Sequence, residues 1–533
     1  MAMDGTRWQP ARGCRGVVAT PHYLATQAGM QMYARGGNAV DAAVAANAAL
    51  CVVQPHQCGL GGDAFVLLRP AGGTPVVLNG SGRTPAALTP ERVRAAGHAW
   101  VPARGGLAVT VPGAVRAWGD LLARYGRLGL DRVLAPAIGY ATDGFPVSAA
   151  LSRAVAANRE ALAAQPGAAR AYLPGGEPIR PGRPARFPDL ARTLTALARD
   201  GADAFYGGPL ADAMVQAVGA AGGVLTLDDL AAHASVWQEP LRVAYRGCTV
   251  YQCPPNSQGL ATIIQLGLLA GEDVRAAGHL SAESLDLLVS ATRVAIEERD
   301  HRIGDPSLVP PPPATGDVAA WGSRLTALRT SAATAAASQA ALPSADTVYL
   351  AAADADGNVV SLIESLWVPF GSGVIAGDTG VFLHNRAAHL PVDGVGPRAV
   401  APSVRPPHTL MPGLAEGADR IVALGSRGGD GQPQTQLQLL TALLDYDLDV
   451  QAAVEAPRWL YGGIEPRDPR DVLHVEARVP PTALDALRRR GYTVDVIPDW
   501  NYQVGIAQIA GVDADGVLSA AADPRGDGAA AAC

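Results

Sequence analysis

The sequence predicts a mixed α+β protein built around layered apolar segments, and three observations carry that prediction. Short apolar strands come in hairpin-like pairs, such as Ala64-Phe65-Val66-Leu67-Leu68 followed, after a Gly-Gly turn, by Pro75-Val76-Val77-Leu78-Asn79. A stretch from Asn38 to about Val53 is so rich in alanine that it suits close burial against a sheet or another helix. Residues 107–210 carry apolar side chains at helical spacing, clearest over Ala114–Tyr125 and Val133–Thr142. The length of 533 residues allows two to four ordinary domains or one large layered core.

The elements follow in order. Gly16 to Thr20 is a short strand, and Ala25 to Arg35 an amphipathic helix stopped at Gly36-Gly37. Asn38-Ala39-Val40-Asp41 opens the alanine-rich helix, and Gly59-Leu60-Gly61-Gly62-Asp63 turns into the first hairpin strand. The character changes at Val309-Pro310-Pro311-Pro312-Pro313, which leads into an Ala/Ser/Thr tract ending in Ser344-Ala345-Asp346. This tract, about 309–346, is expected to be a mobile tail, although its alanine content would also support a helix. Strand-like sequence resumes at Thr347, so the boundary divides two polypeptide segments, 1–346 and 347–533, rather than two independent domains.

Composition narrows the chemistry. Hydrophobic residues at 48% and charged residues at 17% describe a globular chain, and a net charge of -7 without a basic stripe argues against nucleic acid. No lysine occurs, so all 42 basic residues are arginines. Schiff-base and phosphate-loop lysine chemistry are thereby removed, and a substrate carboxylate must be met by arginine or neutral donors. Six cysteines without a CxxC pair suggest neither a disulfide framework nor structural zinc. The absence of a signal-like or membrane-length apolar run makes a cytoplasmic enzyme the expectation.

Thr347 is the most informative residue. A threonine at the head of a strand, behind a flexible leader, becomes an N-terminal nucleophile if the Asp346–Thr347 bond is cut. The freed α-amine, with a reference pKa near about 8, can take the hydroxyl proton without a histidine. Threonine also commonly opens ordinary strands. If Ala355-Asp356-Gly357 is a three-residue loop, Ser365 falls opposite Thr347 on the same face; a two-residue Asp356-Gly357 loop would put Ser365 on the other face. Gly425-Ser426-Arg427-Gly428-Gly429-Asp430-Gly431, between a strand and a Gln/Leu-rich helix, can turn N–H groups toward an oxyanion or simply form a turn. Arg83, in a glycine-rich turn, can grip a carboxylate or form a surface ion pair. His408-Thr409 sits in a rigid Pro-flanked turn, and His384, Asn385, Arg386 and His389 form a polar cluster without metal-ligand spacing.

Together these blocks resemble the γ-glutamyltranspeptidase family of N-terminal nucleophile hydrolases. They are GGNAVDAAVAANAALCVVQPHQCGLGGDAF, the Arg83 turn, DTVYLAAADADGNVVS, FGSGVIAGDTGVFLHNR, GSRGGDGQPQTQLQ and EAPRW, in that order along nearly the whole chain. The resemblance implies a four-layer αββα sandwich, self-cleavage at Asp346–Thr347 into associated large and small subunits, and no metal or organic cofactor. A homodimer of the processed pair is also within the family's range. It further implies Thr347 as nucleophile, Ser365 as its support, Gly428 and Gly429 as oxyanion hole, and Arg83 as carboxylate grip aided by His408 and Thr409. Three positions depart from the γ-glutamyl pattern: Trp367 replaces an asparagine, and Arg386 and His389 replace the glutamine and aspartate that hold a substrate α-amine. The pattern is similar to the oxamate amidohydrolase-like and acylase-like branch. It implies hydrolysis of a small carboxylate-bearing amide, with a γ-glutamyl hydrolase or transferase, or a non-catalytic protein of the same fold, as competitors.

Overall fold

A computed structural model describes residues 8–308, 317–330, 346–394, 396–463, 469 and 471–533. Two seven-stranded sheets dominate it. One runs Ala529–Ala532, Gly16–Thr20, Asp346–Asp354, Val359–Trp367, Asp63–Arg69, Val76–Gly80 and Val236–Gln238. The other runs Ala11–Gly13, Leu518–Ala522, Ala507–Asp513, Arg420–Ser426, Gly413–Glu416, Cys248–Gln252 and Leu241–Tyr245. Both sheets draw strands from either side of Asp346–Thr347, so neither segment holds a complete sheet.

Strand alternation sorts the apolar side chains into three layers. Tyr349, Ala351, Ile363 and Phe65 of the first sheet meet Leu414, Ala423 and Ala510 of the second. On the opposite face of the first sheet, Leu350, Leu362 and Val66 pack on helices that include Ala39–Val53. The outer face of the second sheet packs through Val250, Leu424 and Ile509 on helices including Leu260–Leu269, Ala282–Arg302 and Gln432–Leu444. Every residue of Ala39–Val53 is buried, which its small side chains permit. Its start is fixed by a capping box in which Asn38 accepts from the Asp41 N–H and Asp41 accepts from the Asn38 N–H.

The turn between the central strands settles the register. Gly357 is left-handed at φ +92°, and Asp354 accepts through its side chain from the Asp356 and Asn358 N–H groups. Ala353 therefore pairs with Val359 and Val348 with Glu364, the three-residue-loop register, with a bulge between Asp346 and Val348. Thr347 and Ser365 then share the face that looks into the layer between the sheets.

Within the tract expected to be mobile, Asp317–Thr330 is a helix whose Trp321 and Leu325 are buried among the helices beneath the second sheet. The rest of that tract, 309–316 and 331–345, lies outside the described residues. Among the described residues, no helix is long and apolar enough to cross a membrane.

Candidate active site

At the head of its strand, Thr347 is 1% exposed and donates its hydroxyl hydrogen to Ser365 Oγ at 3.1 Å. Ser365 Oγ also accepts from the Trp367 N–H at 2.7 Å and donates to the carbonyl oxygen of Asp346 at 2.7 Å. Three hydroxyl and carbonyl oxygens thus form one directed chain, from Thr347 through Ser365 to the carbonyl of the bond just before Thr347. Ser365 in turn faces Asp63 across the next strand pair.

Asp63 did not stand out in the sequence beyond its glycine-rich block, and the structure makes it a hub. It is fully buried; Oδ1 accepts from the Gly82 N–H at 3.1 Å, and Oδ2 lies 3.1 Å from His408 Nε2 and 3.3 Å from His384 Nδ1. Burial alone would raise its carboxyl, but the two imidazoles outweigh that and hold it well below the usual range. Burial depresses His408 to about 3, so it is neutral. Its Nδ1 accepts from the Leu410 N–H, which leaves Nε2–H to donate to Asp63.

The glycine turn is tied to Asp346 through the side chain of Arg427, the residue just before it. Gly428 and Gly429 both have positive φ, at +134° and +52°, and neither N–H has an acceptor among the described residues. Gln258 holds the turn by donating to Gly429 O at 2.8 Å and to Thr409 O at 2.7 Å, which also brings the His408-Thr409 turn alongside. Arg299 braces Gln258 from behind and pairs with Asp430 at 3.0 Å. Arg427, one residue before the glycines, places Nη1 3.2 Å from Asp346 Oδ1. With its amide oriented to satisfy both ends, Gln57 accepts from Arg427 Nη1 at 2.7 Å and donates to Thr347 O at 3.3 Å. Burial lifts the Asp346 carboxyl, and Arg427 opposes that lift.

A second cation lies on the other flank. Arg386 is 2% exposed, has its guanidinium carbon 4.3 Å from the Trp367 ring centroid, and has no hydrogen-bond partner for Nε. Burial lowers it to about 10, which leaves it charged at neutral pH. Trp367 (φ +78°) pairs with Asp346 in the ladder, and His389 (φ +63°) meets its ring edge-on at 6.1 Å. Burial lowers His389 as well. The sequence offers Arg83 both as a carboxylate grip and as a surface ion-pair residue. Its side chain is 48% exposed and donates to Ser403 O at 2.7 Å and Asp305 Oδ2 at 3.1 Å, with no recorded bond to the Thr347–Ser365 pair.

Among the described residues one trio brings potential metal-ligating atoms within 4.8 Å of each other: Cys51, Cys58 and Glu364. It lies on the helix side of the sheet, opposite the face of Thr347. Burial raises both thiols, Cys58 to about 11, and Glu364 to about 8, which favours their protonated forms, and Cys51 Sγ donates to Glu364 at 3.4 Å.

Comparison with known proteins places the chain in a family. The family model for γ-glutamyltranspeptidase matches residues 25–533. The glutathione hydrolase-like YwrD proenzyme of Bacillus subtilis is 40% identical over 97% of this chain and 98% of its own. The oxamate amidohydrolase proenzyme of Klebsiella pneumoniae is 38% identical over 97% and 98%. The crystal structure of cephalosporin acylase from Bacillus halodurans superposes with a TM-score of 0.90 at 34% identity, over 100% of this chain and 98% of that one. On this evidence the chain belongs to the γ-glutamyltranspeptidase family, as a hydrolase of its N-terminal nucleophile type.

Proposed function

We propose that the protein is a self-processing N-terminal threonine amidohydrolase for a small carboxylate-bearing amide. The sheets and their flanking helices are read as the four-layer αββα sandwich of such enzymes, assembled from segments 1–346 and 347–533 of one precursor. The observation that carries the proposal is the chain Thr347 O–H to Ser365 O–H to Asp346 C=O. As Thr347 Oγ1 bonds to the Asp346 carbonyl carbon, its proton passes to Ser365 Oγ and the Ser365 proton passes to the carbonyl oxygen. The adduct is neutral, so no buried charge has to be stabilised. As the C–N bond breaks and the carbonyl re-forms, the adduct's hydroxyl proton passes to the nitrogen, leaving an ester on Thr347; water cleaves it to the Asp346 carboxylate and a free Thr347 hydroxyl and amine.

In turnover the new amine takes the hydroxyl proton as Oγ1 attacks the substrate carbonyl. The Gly428 and Gly429 N–H groups receive the oxyanion, the amine protonates the leaving nitrogen, and water resolves the acyl-enzyme. Replacing Ser365 by alanine breaks the relay without touching the nucleophile. Processing is expected to slow by about 10²-fold, read as intact chain against time on a gel. Wild-type and variant chains cleaving at equal rates would remove Ser365 from the mechanism.

The substrate end is read from Arg386. A γ-glutamyl group carries an α-ammonium, and two like charges about 6 Å apart at an effective dielectric near 20 repel by about 2–3 kcal/mol, roughly 30- to 150-fold. Arg386 and the imidazole of His389 offer that ammonium no anion. A panel of oxamate, glutaryl and γ-glutamyl amides, scored by ammonia or amine release, tests the reading; best turnover of the γ-glutamyl member would overturn it. The double variant Arg386→Gln, His389→Asp should raise γ-glutamyl turnover relative to the other amides by at least 10-fold. Because Arg386 keeps its proton up to about pH 10, the wild-type preference should hold unchanged between pH 6 and 9 and weaken only above that.

A further inference from the structure

The residue before the reacting bond already carries a carboxylate, and the fold has built a receptor for it. Arg427 is 5% exposed, with Nη1 3.2 Å from Asp346 Oδ1, its Nε unpartnered, and the Tyr502 ring 5.2 Å from its guanidinium carbon. Gln57 bridges Arg427 to the backbone carbonyl of Thr347. A cavity of about 720 Å³ opens at this pair, lined among others by Gln57, Asn158, Arg153, Asp346, Arg427 and Tyr502. The pair is therefore at the wall of a space large enough for a small molecule, not sealed within the core.

We propose that Arg427 anchors the acyl carboxylate of the substrate in the processed enzyme, and that Asp346 occupies this anchor in the precursor as a built-in substrate analogue. The inference rests on Thr347 being the nucleophile. One oxygen then attacks two carbonyl carbons in succession, first that of Asp346 and later that of the substrate. Both acyl groups must reach the same atom at near-contact distance, so they share the space around it. In Asp346, two carbons separate the reacting carbonyl from the carboxylate that Arg427 holds. Scission and departure of that residue leave a buried guanidinium beside the oxyanion glycines with its anion removed. Leaving it so would be costly, and a substrate carboxylate at the same spacing restores the pair. The preferred substrate class is therefore an amide of a succinyl-type acyl group, −OOC–C–C–CO–NHR. Arg386, across Trp367, serves to exclude an α-ammonium, while Arg427 measures the distance to the carboxylate.

The test compares full-length wild type, Asp346→Asn, Arg427→Met, the double variant, and Arg427→Lys, which keeps the charge. Processing is followed on gels from freshly made chain. Each single neutralisation should slow cleavage by about 10- to 100-fold, the double variant should be no slower than the slower single one, and Arg427→Lys should stay within 10-fold of wild type. After prolonged incubation to complete processing, succinamate, glutaramate, oxamate and the uncharged butyramide are compared by ammonia release. Wild type should prefer succinamate, and Arg427→Met should lower the succinamate-to-butyramide ratio of kcat/KM by 50- to 100-fold. A ratio unmoved by Arg427→Met, or single-variant slowdowns that multiply in the double variant, would overturn the anchor. If wild type hydrolyses no amide at all, the amidohydrolase reading fails by itself, and the cleavage series still decides whether Arg427 and Asp346 act as a pair.

Discussion

Thr347→Ala should yield a folded, single, unprocessed chain with no amidase activity, where wild type should yield two polypeptides, 1–346 and 347–533. Two separate losses combine in one substitution. The hydroxyl that would open the Asp346–Thr347 bond is gone, so the α-amine never forms, and the oxygen that would carry the acyl group is absent from turnover. Removing a covalent nucleophile costs about 10⁴-fold or more, at least about 5–6 kcal/mol of barrier. The fold should tolerate the change. Alanine keeps the Cβ in a buried strand position, Ser365 keeps its bonds to Asp346 O and the Trp367 N–H, and both sheets remain threaded by both segments. Circular dichroism like that of wild type, beside one band in place of two, is the expected result. Two bands from the alanine variant would show that something other than Thr347 cuts the chain. Thr347→Ser should restore both functions at about a tenth of the wild-type rate, since the hydroxyl survives and only the χ1 restraint of the β-methyl is lost.

What the sequence revealed about this site depended on whether a local signal set the geometry. The Asp354–Asn358 turn is such a signal: a left-handed Gly357 and an aspartate that caps its own turn fix the register, and the register alone carries Ser365 to Thr347 further up the strand pair. Helix boundaries at Asn38 and at Gly36-Gly37 were legible for the same reason, because caps and stops are local. The glycine turn could be placed between strand and helix, yet what holds it, Gln258 and Arg299, comes from other elements and has no motif. His384 and His408 stood out as polar turn residues, but their convergence on Asp63 from separate segments left no local signal, and Asp63 itself looked like part of a glycine-rich block. Arg427 was overlooked because the glycines beside it explained the motif without it. The Arg83–Asp305 pair, 222 residues apart, is likewise invisible in the sequence. Tertiary partners, unlike turns, leave no trace in spacing.

Glu364→Gln should stabilise the protein strongly at pH 8 and hardly at all near pH 5. Glu364 occupies the central strand next to Ser365 but points the other way, fully buried, accepting from the Gly59 N–H at 2.9 Å and from the Cys51 thiol at 3.4 Å. Burial raises its carboxyl to about 8, with the Gly59 and Cys51 hydrogen bonds opposing the rise only in part. Between the ordinary carboxyl range and about pH 8, the folded chain retains a proton that the unfolded chain has released. Stability therefore falls as pH rises through that interval and levels off above it. Across the interval the loss amounts to about 3–5 kcal/mol at pH 8. Glutamine has the same shape, keeps the acceptor for Gly59, and carries no such proton, so its advantage grows with pH. Urea unfolding of both chains, in the Thr347→Ala background to keep each a single polypeptide, should show midpoints that nearly coincide at pH 5 and separate at pH 8. Parallel profiles would mean that Glu364 is ionised in the folded protein, and a buried carboxylate without a cation beside the nucleophile's strand would then need a partner that neither thiol supplies.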